Sequence, residues 1–340
     1  MRKITIKDIA KEVGVSVSTV SNVINGKDNK VSYETLQRIH KSIKELNYIP
    51  NLSARSLVNK KSKLIGVIIP QTEDYKQLLL ENPFYSEIVS GIESKIREQG
   101  YYMILSGVDK DKSFNDIFVK WNLDGAIIMG IYKERFYEDL KKVSIPIILV
   151  DSYIYDDYFY KISIDDEMGG YLATKYLLNF GHRNIAHVTG SIKKGGVTEK
   201  RFSGYKKALK EANIFYNPEY VFEESMSYEH GFEAGKIIGK DFDDITAIFA
   251  SADLIAAGVI SGLKESGKEV PSDISVVGFD NISVSRMLIP SLTTVNQNIC
   301  KRGNVIAEKI ISIVEGIEED SSKEIIMPLE IIERKSVKKL

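Results

Sequence analysis

The sequence predicts an all-α N-terminal region followed by an α/β core of two doubly wound parallel-sheet subdomains. Three observations carry this prediction. The first sixty residues contain short helical patterns and no credible strand, whereas short β-branched runs alternate with amphipathic stretches from Leu64 onward. The chain has 340 residues, about twice the roughly 150 expected of one domain. Residues 1–62 hold 12 lysines and arginines against 5 aspartates and glutamates, a balance of +7, while the rest of the chain balances at −8.

The overall composition, with 43% apolar and 27% charged residues, excludes the disordered and fibrous classes of protein. Cys300 is the single cysteine, which forbids an intrachain disulfide or a cysteine-clustered metal site and indicates a reducing compartment. The charged N-terminus is unlike a signal peptide, and no stretch approaches the roughly 20 apolar residues of a membrane span. We therefore expect a cytoplasmic protein. The basic N-terminal region favours an anionic partner such as nucleic acid, although a solvated basic surface has the same charge.

Three short helices are predicted in the N-terminal region. Their capping and stop residues set the expected bounds at Thr5 to Gly14, Ser16 to Asn25-Gly26, and Ser32 to Leu46. The positions expected to face inward share helical spacing and are Ile6, Ile9, Ala10, Val13, Val20, Val23, Ile24, Leu36, Ile39, Ile43 and Leu46. Two short helices joined by a tight glycine-containing turn, with a third that buries their apolar faces, form a helix-turn-helix headpiece.

The core is predicted from repeated β-α units. The expected strands are the β-branched runs Leu64 to Ile69, Tyr102 to Leu105, Ala126 to Met129, Ile147 to Val150, Ile185 to Thr189, Ile245 to Ala250 and Ile274 to Phe279. The expected helices are Phe84 to Gln99, Glu167 to Phe180, Lys200 to Ala212, Glu229 to Ile238 and Leu254 to Ser266. Such alternation implies parallel sheets covered by helices on both faces. Between headpiece and core, residues 51–57 can form a helix that is marginal in isolation, which makes it a candidate switch.

Several motifs occur together in a fixed order over nearly the whole chain. They are residues 5–10, 14–21, 46–51, 54–57, 82–84, Gly169-Gly170, Leu178 with 181–183, Arg201 with Gly204-Tyr205, 270–280 and 290–295. With these motifs the sequence is similar to the LacI/GalR transcriptional repressors. The resemblance implies a DNA-binding headpiece, a hinge helix and a core like the type I periplasmic sugar-binding proteins, with three chain crossings between its subdomains. It also implies a homodimer on a palindromic operator, controlled by a small molecule.

The resemblance sets the expected domain bounds. They are 1–49 for the headpiece, 50–62 for the hinge, 63–164 with 294–324 for the N-terminal subdomain, and 165–293 with 325–340 for the C-terminal subdomain. We expect a dimer, because the chain ends four residues after Ser336 with no leucine heptad tail. By resemblance, helices starting near Phe84 and Leu254 supply much of its interface.

By resemblance, Val17, Ser18 and Asn22 read the bases of the operator. Relatives most often carry arginine where this chain has Asn22, and asparagine pairs with adenine whereas arginine pairs with guanine. We therefore hypothesise a preference for A·T at that base pair. The alternative is that Asn22 contacts phosphate or water. Val17 offers an apolar contact and Ser18 discriminates poorly, so specificity leans on DNA shape.

The resemblance also assigns residues that contact the DNA backbone or the minor groove. Leu57 is the expected apolar wedge at the operator centre and Ala54 packs where two hinge helices meet, although Leu57 can instead dock on the core. The candidate phosphate contacts, which can equally be plain surface charge, are Lys3, Lys7, Arg38, Lys60 and Lys61.

The effector is expected between the two core subdomains, where the resemblance brings Arg201 and Asp280 together. A guanidinium beside a carboxylate suits adjacent hydroxyls without adding net charge, which favours a sugar or sugar derivative. Asp280 can instead cap its own turn, and Arg201 can pair with Glu199. The other candidate lining residues are Phe84, Tyr85, Met129, Asp151 and Met226.

Two departures from the family pattern change the expected ligand contacts. Ala252-Asp253 replaces a common Asn-Asp, so an amide is missing, and Asp165-Asp166 replaces a common Asp-Asn, which adds acid near the crossing. A nucleobase corepressor stacked on Phe84-Tyr85 is an alternative effector, and control by a partner protein is another.

Rival functions find less support in the sequence. The chain has neither the G-x-G-x-x-G nor the G-x-x-x-x-G-K-[ST] nucleotide motif, and its four histidines are scattered. We therefore expect no enzyme activity, no cofactor and no metal. A stand-alone sugar-binding protein shares the expected core fold but lacks a basic headpiece and carries a secretion signal.

Overall fold

The computed structural model describes residues 4–24, 26, 28–48, 61–71, 79–109, 118, 120–130, 135–154, 157–317 and 322–340. The chain divides into two compact units, with the boundary between Lys63 and Leu64. Among the described helices, none is long and apolar enough to cross a membrane.

The first unit contains the three helices that the sequence predicts. They are α1 (Ile6–Val13), α2 (Val17–Ile24) and α3 (Tyr33–Glu45), with a 3-10 turn at Asp28–Lys30 between the last two. The helices share a small apolar core whose buried members are Ile9, Ala10, Val13, Val20, Val23 and Ile39. Each of these is one of the positions expected to face inward, so the helical spacing in the sequence corresponds to packing.

Local capping sets where the headpiece helices begin and end. At the start of α1, the Thr5 backbone N–H and hydroxyl both donate to the Asp8 carboxylate, at 2.9 and 2.6 Å. Gly14 then ends α1 in the left-handed conformation, with φ 74°, which glycine adopts at no steric cost. Two residues on, the Ser16 hydroxyl accepts the Thr19 backbone N–H at 3.0 Å and so caps α2.

The second unit contains, among its described residues, two sheets of six strands each. The strands in chain order are β1 (Leu64–Gln71), β2 (Tyr102–Asp109), β3 (Gly125–Met129), β4 (Ile147–Val150), β5 (Tyr160–Ile164), β6 (Ile185–Gly190), β7 (Val221–Glu224), β8 (Ala247–Ala250), β9 (Ser275–Asp280), β10 (Thr293–Asn296), β11 (Glu324–Met327) and β12 (Glu330–Ile332). The first sheet has the order β11-β5-β4-β3-β1-β2 and the second the order β12-β10-β9-β8-β6-β7. All pairs are parallel except β10 with β12. We call the parts built on these sheets the N-terminal and C-terminal subdomains.

Helices cover both sheets. They are α4 (Pro83–Glu98), α5 (Arg135–Leu140), α6 (Asp166–Asn179), α7 (Val197–Glu211), α8 (Tyr228–Asp241), α9 (Asp253–Glu265), α10 (Ser283–Met287) and α11 (Ile299–Glu315). The predicted α/β class with two doubly wound parallel sheets is confirmed.

Two predicted subdomain bounds differ from the observed sheets. Strand β10 pairs with β9 in the second sheet, so the chain returns to the N-terminal subdomain after Asn296 and not at 293/294. Strand β11 belongs to the first sheet, so the last crossing falls between Met327 and Glu330 and not at 324/325. These bounds came from the resemblance, and neither β10 nor β11 is among the strands that the sequence predicts.

Candidate ligand site and nucleic-acid interface

The outer face of α2 carries the residues expected to read DNA. Val17 is 41% exposed, Ser18 is exposed and Asn22 is half-buried, whereas Val20 and Val23 of the same helix are buried. Ser18 and Asn22 are four residues apart and therefore neighbours on one face. The Ser18 hydroxyl hydrogen bonds with that of Ser16 at 2.7 Å.

The expected backbone-contacting residues fall into two groups. Lys7 and Arg38 are exposed on the headpiece and Lys61 is half-buried. Arg38 also has a structural contact, because its Nη2 donates to the Val13 carbonyl at 2.5 Å and ties α3 to the end of α1. The remaining ones, Lys3, Ala54, Leu57 and Lys60, lie outside the described residues, as does the predicted hinge helix.

In the core, polar side chains converge from the carboxyl ends of both sheets. Asp151 follows β4 of the first sheet, Asp280 ends β9 of the second, and Gln297 follows β10 where the chain crosses between them. The backbone is in the positive-φ region at Asp151 (53°) and at Asp280 (113°). Non-glycine residues seldom adopt such conformations, and these cluster at functional sites.

Arg201 on α7 is the centre of this group and is only 6% exposed. Its Nε donates to Asp166 Oδ1 at 2.7 Å, and its Nη1 donates to the Ser251 carbonyl at 2.6 Å. The same Nη1 lies 3.7 Å from Asp280 Oδ1. The guanidinium carbon lies 3.6 Å from the centre of the Phe279 ring, which supports it from one side. The alternative in which Arg201 pairs with Glu199 at the surface is therefore wrong.

Two glycines allow Arg201 to reach Asp166. A Cβ at Gly170 of α6 would lie 2.0 Å from the Arg201 carbonyl oxygen, and one at Gly204 of α7 would lie 2.0 Å from the Glu167 carbonyl oxygen. No side chain fits at either point, so α6 and α7 meet backbone to backbone. This close approach places Asp166, on the first turn of α6, within hydrogen-bonding distance of Arg201.

Asp166 is 1% exposed and both of its oxygens are engaged. Arg201 donates to Oδ1 and the Tyr153 hydroxyl donates to Oδ2. Burial raises the pKa of Asp166, and the Arg201 charge opposes that shift. Tyr153 follows β4, so this contact links the N-terminal subdomain to α6 of the C-terminal subdomain.

Asp280 is linked in the other direction, through the crossing segment. Gln297 Nε2 donates to Asp280 Oδ1 at 2.6 Å, and Gln297 Oε1 accepts from Arg302 Nη1 at 2.6 Å. Arg302 Nη2 donates to Asp151 Oδ1. Burial raises the pKa of Asp280 to about 7, against the opposing effects of Arg201 and Gln297.

Asp253 has a structural role at the same edge of the second sheet. Its Oδ2 accepts the Ile282 backbone N–H at 2.9 Å and its Oδ1 accepts the Thr294 hydroxyl at 2.6 Å. Burial, with Asp280 nearby, raises its pKa well above the ordinary value. Asp253 therefore holds the turn after β9, which leaves the Asp280 carboxylate for Gln297 and Arg201.

The other candidate lining residues differ in how they relate to Arg201. Met226 is close, since its Sδ lies 3.8 Å from the hydroxyl of Ser251, whose carbonyl binds Arg201. Phe84 and Tyr85 at the start of α4 are half-buried, with ring centres 5.4 Å apart in an edge-to-face arrangement. Both pack against the apolar core, and Met129 is a 2% exposed member of it. Among the described residues, the contacts of Phe84 and Met129 are with this apolar core and not with the polar network.

Comparison with known proteins decides the family. Residues 5–51 match the bacterial regulatory proteins of the lacI family, and residues 174–337 match the periplasmic binding protein-like domain. An HTH-type transcriptional repressor PurR of Histophilus somni (strain 129Pt) is 36% identical over 99% of each chain. The chain belongs to the LacI family of bacterial regulatory proteins.

Solved LacI-family structures agree with this assignment. The lac repressor dimer bound to operator and the anti-inducer ONPF has a TM-score of 0.83 at 26% identity, covering 99% of this chain and 100% of that one. A LacI family regulator from Enterococcus faecium with bound ribose has a TM-score of 0.71 at 28% identity, covering 82% and 99%. The resemblance found in the sequence is thus confirmed.

Three functional candidates in this LacI-family core escaped sequence reasoning: Tyr153, Gln297 and Arg302. A signal for Arg302 was present, because it occupies a buried position in the apolar stripe of α11 that includes Ile299 and Ile306. An arginine in such a stripe indicates a specific buried partner. Asp166 was noticed as added acid, but its pairing with Arg201 was not predicted.

Proposed function

We propose that this LacI-family protein is a sequence-specific DNA-binding transcriptional repressor, controlled by a small molecule bound at Arg201 and Asp280. One observation carries the proposal. Both side chains are nearly buried, yet Arg201 Nη2 and Asp280 Oδ2 form no hydrogen bond with the described residues. A donor and an acceptor that make no such bond, on two side chains that approach to 3.7 Å, form an arrangement that a polar ligand can complete.

The headpiece supports the DNA-binding part of the proposal. Its second helix exposes Val17 and Ser18 at its N-terminus, the end that reaches base edges in helix-turn-helix proteins. The balance of +7 over residues 1–62 supplies cations for phosphates. The operator-bound lac repressor dimer among the solved relatives supports a dimer on a two-half-site operator.

Two effector chemistries fit the free donor and acceptor. Adjacent hydroxyls of a sugar can accept from Arg201 and donate to Asp280, and the ribose-bound relative supports this class. The edge of a nucleobase also offers neighbouring acceptor and donor atoms, and the half-buried Phe84 and Tyr85 rings are candidates to stack on it. The PurR repressor at 36% identity is nearer in sequence than the ribose-bound relative at 28%. The sugar class is therefore not preferred, and the nucleobase class is tested beside it.

The proposed control works through the two subdomains. A ligand at Arg201 and Asp280 lies beside the contacts that join the subdomains, Tyr153 with Asp166 and Gln297 with Asp280. It therefore biases one arrangement of the core over another and, through the predicted hinge, the affinity for operator. Coupling of about 1–3 kcal/mol is typical of such systems. A ligand that orders the hinge is a corepressor, and one that melts it is an inducer.

The effector part is tested by thermal unfolding of the full chain with adenine, guanine, hypoxanthine, uracil, D-ribose, D-glucose and cellobiose. A ligand of the folded protein raises the Tm by mass action. We expect one class to raise it, and Asp280→Asn to abolish the increase. The matched control is Asp243→Asn, since that side chain is 96% exposed. A ligand that binds D280N as well as the natural protein contradicts the proposed site.

A further inference from the structure

Arg302 is a fully buried cation on the N-terminal side of the ligand site. It lies in the first turn of α11, which packs on α4, β3 and β4, and its side chain is 0% exposed. Its Nη1 donates to Gln297, its Nη2 donates to Asp151, and its Nε has no partner among the residues that the structure describes. Burying an arginine costs folding free energy unless the charge is paired, so the contacts of Arg302 with Gln297 and Asp151 are specific ones.

The chemistry of arginine decides which way the Gln297 amide faces. A guanidinium has donors and no acceptor, whereas an amide has a carbonyl acceptor at one end and an NH2 donor at the other. The carbonyl end of Gln297 must therefore face Arg302, and the NH2 end then faces Asp280, where Nε2 lies 2.6 Å from Oδ1. The reverse orientation sets NH2 against guanidinium and carbonyl against carboxylate, and both contacts are repulsive.

We propose that Arg302 is a positioning residue for effector recognition, which fixes the Gln297 amide so that Asp280 presents one free oxygen as a ligand acceptor. Asp280 Oδ1 is then held by Gln297, and Oδ2 is left for the ligand. The inference rests on the proposed function, since it takes Asp280 to be a ligand-binding residue.

The charges around Asp280 show why this positioning matters. Two carboxylates on different elements favour its protonated form, Asp166 on α6 and Asp151 after β4. Asp280 itself helps to raise the pKa of a third, Asp253 on α9. Arg201 on α7 opposes them from one side. Arg302 binds Asp151 and orients the donor of Gln297, so it acts in the same direction as Arg201 from the other side.

Loss of Arg302 therefore has two effects, and both favour protonation of Asp280. The Gln297 amide becomes free to turn its carbonyl toward a protonated Asp280, and the charge of Asp151 is left without its partner. Both favour the proton on Asp280. A protonated carboxyl donates at the point where the ligand needs an acceptor.

The test measures the stability of the full chain against pH, relative to Asp280→Asn, and needs no ligand. Because the folded pKa of Asp280 is raised to about 7, the unfolded chain releases this proton first as pH rises. Stability relative to D280N therefore falls with rising pH and levels off near the folded pKa. We expect Arg302→Met to move the levelling point upward by about one pH unit or more.

Three further variants make the result decisive. Gln297→Met removes the amide donor and is expected to move the levelling point upward even if R302M does not fold. Arg302→Lys keeps the charge and donors and is expected to stay near the natural protein. The matched control is Arg97→Met, whose 69% exposed side chain pairs with Glu93 on α4.

A levelling point unchanged in both R302M and Q297M overturns the inference, as does a natural protein that shows no levelling near neutral pH. Failure of the proposed function is a separate result. In that case no ligand class depends on Asp280, whatever the pH curves show.

Discussion

Arg201 and Asp166 form a buried ion pair, with Nε 2.7 Å from Oδ1 and both side chains at most 7% exposed. Asp166 is the added acid that the sequence resemblance singled out, and its carboxylate is the partner of this guanidinium. The pair is held by the close approach of α6 and α7 and by the Tyr153 hydroxyl. It fixes the guanidinium on which the proposed ligand site depends.

Removal of the Asp166 side chain is predicted to lower the free energy of unfolding strongly. Its conversion to an amide is predicted to lower it only slightly. Asp166→Ala leaves a buried guanidinium without its partner and should cost about 3–5 kcal/mol in the free energy of unfolding. Asp166→Asn keeps an oxygen for Arg201 Nε and should cost about 1.5 kcal/mol or less. Urea denaturation of the three proteins measures both values. Equal losses for the two variants would show that the carbonyl oxygen alone does not hold Arg201.

The glycine contact between α6 and α7 gives a second prediction. Gly204→Ala places a methyl group where the Glu167 carbonyl oxygen lies 2.0 Å away, so the helices must separate. We expect a loss of about 1–3 kcal/mol or more in stability, with weaker ligand binding because Arg201 moves. Ser203→Ala, one residue earlier on α7, is the control and should change little. Unfolding and ligand titration of both variants test this, and a stable G204A protein with normal ligand affinity contradicts it.

The cap of α2 gives a third prediction, for the headpiece. Ser16→Ala removes the acceptor of the Thr19 N–H and should destabilise α2 by about 1 kcal/mol, with a matching loss of operator affinity. Ser32→Ala removes the cap of α3, where the hydroxyl accepts from Thr35 at a longer 3.4 Å. Operator binding at fixed salt should fall more for S16A than for S32A. The opposite order would place the DNA-reading face elsewhere than α2.

Base preference at Asn22 is the fourth prediction. Asparagine pairs with adenine and arginine with guanine, so Asn22→Arg should change the preferred base pair from A·T to G·C in each half-site. The expected discrimination is about 1–3 kcal/mol per base pair. Competition binding with paired operator variants measures it. Unchanged preference in N22R would mean that residue 22 contacts phosphate or water.

The pH dependence of ligand binding is the fifth prediction. An acceptor contact requires ionised Asp280, whose pKa burial raises to about 7. Affinity for the ligand should therefore be highest above pH 7 and fall about tenfold for each pH unit below it. Calorimetric titration between pH 5.5 and pH 8.5 with the ligand found in the panel tests the sign. Affinity that rises on acidification would mean that protonated Asp280 donates a hydrogen bond to the ligand.

Features set by neighbouring residues were predictable from sequence. Thr5, Gly14 and Ser16 mark helix ends in the sequence as they do in the structure, because a cap involves residues three or four apart. Five strands were missed: β5, β7, β10, β11 and β12. Of these, β7, β11 and β12 are short, lie at sheet edges and contain exposed glutamates, whereas β5 and β10 lie inside their sheets.

Contacts between distant parts of the chain were predictable only in part. The approach of Arg201 to Asp280 came from family motifs. The pairing of Arg302 with Asp151 spans 151 positions and leaves no local pattern. Periodicity marks Arg302 as buried in α11, but only the fold shows which carboxylate pairs with it.

Sequence-specific operator binding under effector control can be measured by selection of random duplex DNA with the full-length protein. The selection is run at one fixed, near-physiological salt concentration, since affinity depends steeply on salt. It is run both without ligand and with the nucleobase and sugar panel. We expect enrichment of a palindrome of two half-sites, with A·T at the base pair read by Asn22, to different extents with and without the effector. Enrichment of no sequence under any of these conditions would contradict it.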